Sequence, residues 1–107
     1  MNTVRAFPVF ALVALLAGCE TGMRTAPPIT AATLAVAAKH HVPPASLEAG
    51  RQLYMRRCTE CHRMMPMEDY GDAKMKRIVD DMARRAKLID ADKESLLDYL
   101  RMTRETP

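Results

Sequence analysis

With 107 residues and a formal net charge of +3, the chain has room for one domain and lacks the strongly basic balance of a nucleic-acid binder. Four Gly and three His provide neither a Gly-rich phosphate loop nor a Ser-His-Asp set, so nothing here points to a phosphate-binding fold or an acyl-transfer enzyme. There is no Trp, and both Phe lie in the first eighteen residues, so a staple, metal or cofactor is expected to fill the middle of so small a domain.

The N-terminal segment is read first. Arg5 is the one charged side chain in residues 1–18, and residues 7–17 form an apolar run of eleven broken only by Pro8. This is too short to cross a bilayer and has the layout of an export signal. It closes on Leu16-Ala17-Gly18-Cys19, which resembles the lipobox of bacterial lipoproteins. The resemblance implies cleavage after Gly18, a lipid thioether on Cys19, and a mature chain anchored to a membrane on its periplasmic side. Glu20, by the enterobacterial sorting rule, favours the outer membrane. An export signal with an incidental cysteine is the plainer alternative.

Residues 19–45 are rich in Ala, Thr and Pro with few charges and read as a flexible tether. Within them, residues 31–38 are compatible with a short helix. His40 and His41 have the chemistry to reach a metal, but such a pair in a linker is read as solvated.

Residues 46–107 form the expected domain. Ser46 predicts an N-cap for a helix over about 47–57, in which Leu47, Gly50, Leu53 and Tyr54 share one face. Gly50 in mid-helix costs about 1 kcal/mol relative to Ala, which is explained if another helix crosses there. Asp90 predicts the cap of the partner, a helix over about 90–102 with Leu96, Leu97, Tyr99 and Leu100 as apolar positions. Tyr99 laid over Gly50 would let the two backbones approach.

Between these helices stands Cys58-Thr59-Glu60-Cys61-His62. With Cys19 acylated, these two thiols are the only ones left. Structural zinc needs four ligands, and Cys58, Cys61 and His62 with His40 or His41 would supply them. Adjacent Cys61 and His62 on one ion make poor tetrahedral geometry, however. A redox thiol pair expects a strand leading into a helix, and no strand-like alternation occurs. C-x-x-C-H is the signature of c-type haem attachment: two spacer residues let both sulfurs reach the vinyl groups on one porphyrin edge, and His62 then falls under the iron as proximal ligand. One covalent haem c is therefore the expected cofactor, with the His62 ring expected to donate its other proton to a carbonyl near Met65-Pro66.

Asp72 predicts a cap for a helix over about 73–87, where Met75, Ile78, Val79, Met82 and Ala86 form an apolar stripe. Met75 and Met82 lie about 10.5 Å apart along it, so at most one can reach an iron. Met64, Met65 and Met67 follow His62 too closely to wrap to the opposite face and are expected to pack around the ring. Arg56, Arg57, Arg63, Lys74, Lys76, Arg77, Arg84 and Arg85 are read mainly as a solvated face, with a few left to offset propionate charge or steer an acidic redox partner.

"GRQLYMRRCTECH" followed by "LLDYL" resembles the small class I monohaem cytochromes c, whose first and last helices cross beside the haem through a Gly/aromatic contact. The likeness covers residues 46–102. It implies an all-α fold of three to four helices wrapped around a covalent haem. "MKRIVDDMARRAKL" is similar to a segment of some short bacterial monohaem cytochromes, with a Trp seven residues before a helical Met and an Ala shortly after. By that pattern Met82 is the distal ligand and Met75, standing where the Trp would, is the alternative. The broader class carries its Met on a loop just before the last helix, and residues 87–92 contain none. The implied function is outer-sphere electron transfer to redox partner proteins, without enzymatic turnover. Its rivals are a haem with an open sixth site for a small ligand or peroxide, and a Cys/His zinc or copper lipoprotein.

Overall fold

The computed structural model describes residues 26–58, 66 and 69–107. They form four helices and, among the described residues, no strand: α1 (Ala31–Lys39), α2 (Pro44–Arg56), α3 (Asp72–Arg85) and α4 (Asp90–Glu105). The expected all-α class is thus what the chain adopts.

The helix boundaries follow from local chemistry. At the start of α1, the Thr30 hydroxyl accepts from the Thr33 N–H while the Thr33 hydroxyl accepts from the Thr30 N–H, both at 3.2 Å. This reciprocal capping satisfies two donors that a helix start leaves open. α2 begins earlier than expected. Pro43 is its cap and Pro44 its first residue, because proline's fixed φ suits the first turn and its missing N–H costs nothing there. Ser46 is therefore inside the helix and caps nothing. Its hydroxyl instead donates to Asp98 Oδ2 at 2.9 Å, with Ser95 Oγ 3.2 Å away. Two further starts shift by one residue: Gly71 caps α3 and Ile89 caps α4, placing Asp72 and Asp90 in the first turns, where their charge favours the helix dipole.

α1 and α3 end alike. The Val42 N–H donates to Ala37 O at 2.9 Å and the Leu88 N–H to Ala83 O at 2.9 Å. Each bond skips back over a residue in the left-handed region, His41 at φ 56° and Lys87 at φ 55°. These are Schellman turns built without glycine, so each carries a strain of about 1–2 kcal/mol. The Lys87 turn stops α3 at Arg85, short of the expected 87. α4 runs past the expected 102 to Glu105, because Met102 is buried and the Thr106 hydroxyl caps its carbonyl at 2.7 Å.

α2 and α4 cross at Gly50, as the spacing anticipates. A Cβ added there would lie 2.0 Å from Ser95 O and 2.7 Å from Tyr99 Cβ, so only glycine admits this approach. Tyr99, wholly buried, sets its ring 6.0 Å from that of Tyr54 at 47°. Around them the core collects Leu96, Leu97 and Leu100 from α4, with Met75 and Val79 from α3. A second cluster joins Ala37 of α1, Leu47 of α2 and Met102 of α4.

The described part of the expected tether differs from that expectation. Ala26, Thr33 and Ala37 are buried, and small side chains let α1 lie close on α4. Upstream of α1, the Pro27 carbonyl accepts from the Tyr99 hydroxyl at 2.7 Å and from Arg51 Nε at 3.1 Å, while Ala26 O accepts from Arg51 Nη2 at 3.3 Å. Residues 26–42 are folded onto the helix pair.

Candidate functional site

The C-x-x-C-H sequence begins just after α2, and a cavity of about 450 Å³ opens at that end of the helix. Its size falls within the range of about 300–1,000 Å³ typical of cofactor sites. One described wall is Arg57 and Cys58 at the end of α2, and the other is the last half of α3 with the turn after it. Leu96 of α4 and Ala83 of α3 are buried and make its floor. Leu88 and Ala86 extend the apolar surface, while Arg57, Arg85 and Lys87 are exposed and stand at the mouth.

Cys58 and Met82 both line this cavity. Cys58 is half-buried and packs against the main core cluster. Burial pushes its thiol up to about 11, so at neutral pH the free side chain is a neutral thiol and not an activated thiolate nucleophile. Met82 is also half-buried, on the face of α3 that looks into the cavity. Met75, its rival as distal ligand, is wholly buried with Tyr54, Leu97 and Tyr99 in the core and does not line the cavity. The seven-residue spacing that put both methionines on one face left them in different places: Met75 is in the core and Met82 is on the cavity wall.

The remaining cations mostly have local partners. Lys76 bonds Asp80 at 2.6 Å, Arg84 and Arg85 both pair with Asp81, and Lys74 sits 4.1 Å over the Tyr70 ring. Such exposed pairs contribute little to stability, typically about 0–1 kcal/mol. They leave Asp81, the one carboxylate among the described lining residues, paired with two guanidiniums.

His40 bonds Glu105 at 2.8 Å. With His41 it precedes α2, whose thirteen residues span about 20 Å, so both linker histidines lie at the opposite end of that helix from Cys58. Among the described residues, no group of three or more His, Cys, Asp or Glu side chains is arranged around a common point. Cys19, Cys61, His62, Met64, Met65, Met67 and the signal over 1–18 lie outside the described residues.

Sequence reasoning missed Asp81, Ala83, Lys87 and Leu88 as cavity residues, and named Arg57 and Leu96 without placing them on one cavity. Leu88 carried a usable signal, an apolar residue three positions past the end of α3. The chemistry of the described walls fits a haem: a thiol to attach it, a thioether to ligate its iron, aliphatic carbon against the ring and cations for propionates. No family model, curated protein or solved structure matches the chain.

Proposed function

We propose that this chain is an exported, lipid-anchored monohaem c-type cytochrome that carries electrons between partner proteins on the periplasmic side of a membrane. The observation that carries this reading is that Cys58, first thiol of the C-x-x-C-H motif, and Met82 line one cavity of cofactor size. Support also comes from the Gly50–Tyr99 crossing, which matches the helix contact of small class I cytochromes c.

Bound haem c would supply a one-electron ferric/ferrous couple. Cys58 and Cys61 would hold it through thioethers, and His62 and Met82 would ligate its iron; a thioether ligand raises the reduction potential. Leu88, Leu96 and Ala83 would shield such a group from water. Arg57 and Lys87 at the mouth offset propionate charge. The exposed cations steer an acidic partner by long-range attraction, an effect that salt weakens. A lipid on Cys19 leaves seven residues to Ala26, which reach at most about 25 Å, so the carrier stays concentrated beside membrane-bound partners.

Pyridine haemochrome spectroscopy after denaturation and acid-acetone extraction tests the attachment. Pigment that stays with the polypeptide is expected, and pigment that washes out overturns the reading. Carbon monoxide binding to the reduced protein at neutral pH would instead favour an open sixth site. Intact mass of the membrane-extracted protein tests the lipid on Cys19.

A further inference from the structure

A hydrogen bond from the Arg57 side chain joins the two walls of the cavity. Arg57 is the C-cap of α2, one residue before Cys58. Its guanidinium Nη2 donates to the Ala86 carbonyl at 2.7 Å, and Ala86 is the C-cap of α3. The Ala86 N–H in turn donates to Met82 O at 2.8 Å. A continuous path of bonds thus runs from the backbone beside Cys58 to the helical turn that carries Met82.

The acceptor suits its donor. Carbonyls at the end of a helix have no partner within the helix and carry the negative end of its dipole, so a guanidinium is favoured there over a neutral donor. The turn it grips also needs holding. Lys87, the next residue, stands at φ 55°, a conformation that a residue with a Cβ keeps only when its surroundings impose it.

We propose that Arg57 is a positioning residue for the distal ligand, fixing the last turn of α3 so that the Met82 sulfur stays within reach of the group attached at Cys58. This rests on the haem reading above. Arg57 touches neither the sulfur nor the iron in this role. It sets how far the α3 wall stands from the α2 wall, and that distance decides whether the thioether ligates.

The test compares Arg57→Gln, Arg57→Lys and Arg84→Gln in the full-length pigmented protein. Arg84 is a control for charge, since it lies on α3 with Met82 and pairs with Asp81 without lining the cavity. Arg57→Gln is expected to lose the ferric charge-transfer band of thioether ligation, lower the reduction potential and let carbon monoxide bind the ferrous form. Amide exchange at Lys87 and Leu88 is expected to quicken about fivefold, the effect of losing one such hydrogen bond. Arg57→Lys should recover at least half of the band, and Arg84→Gln should keep all of it. A band and potential unchanged in Arg57→Gln, or the same loss in Arg84→Gln, overturns the proposal. Wild-type protein without pigment fails earlier, at the haem reading, and takes this proposal with it. The exchange comparison needs no pigment, so it separates the two failures.

Discussion

Helix α2 meets its two neighbours by opposite means. Against α4, a missing side chain at Gly50 lets backbone touch backbone, so the distance between the helices has no slack. Against α3, a long side chain, Arg57, spans the gap and leaves a cavity beneath it. The first contact fills its own space and the second keeps space open. A small chain without tryptophan can thus have one close-packed seam and one bridged wall on the same helix.

The comparison is most easily broken at the seam. Gly50→Ala should destabilise the protein by about 3 kcal/mol in urea or thermal unfolding, since the added Cβ must push the Ser95 backbone away and Ala's better helix propensity returns only about 1 kcal/mol. A midpoint unchanged from wild type would show that α4 can move aside.

A paired substitution separates core from cavity. Met75→Ala removes a wholly buried side chain and should cost about 2–4 kcal/mol while leaving the ferric ligand band intact. Met82→Ala, half-buried on the cavity wall, should cost about 1 kcal/mol and abolish that band. The reverse pattern would exchange their roles.

At the turn after α3, Lys87→Gly should raise stability by about 0.5–1 kcal/mol, because relief at φ 55° exceeds the chain entropy that glycine adds to the unfolded state. Unfolding midpoints of the two proteins at equal concentration decide it.

The smallest effect concerns acid. Asp80 links α3 to α4 through Lys93, 3.7 Å away. The hydrogen bond from Lys76 foremost, opposed by some desolvation, and then the charges of Lys76 and Lys93 hold its carboxyl below its ordinary 3.8. A lowered native pKa means that the unfolded chain binds the proton more readily, so this contribution is present above 3.8 and fades as pH falls through the native value. Asp80→Asn should therefore flatten the acid limb of the stability profile, and a profile parallel to wild type would show the pair to be silent.

What could be read from the residues divides along the same line as the structure. The crossing was legible because a mid-helix glycine and a tyrosine in a distant apolar helix each need the other to make sense. The apolar stripe of α3 was legible by its spacing, but spacing alone does not say that Met75 faces core and Met82 a cavity. That depends on what packs beside each turn of the helix, core side chains around Met75 and the Arg57–Cys58 wall opposite Met82. The start of α2 was misplaced because Ser46 has a capping hydroxyl, yet the preceding prolines begin the helix before it is needed. The packing of residues 26–29 left no trace in composition, since the acceptors there are backbone carbonyls that every residue possesses.

Those carbonyls have a mechanical consequence. A tensile load entering the folded unit from its N-terminal side meets Ala26 and Pro27 first, and passes through Arg51 and Tyr99 into the seam where α2 and α4 are closest. The force is borne at the closest helix approach, at Gly50, while the cavity at the far end of α2 lies off its route. Tugging on this protein should leave the wall carrying Met82 undisturbed until the seam itself gives way.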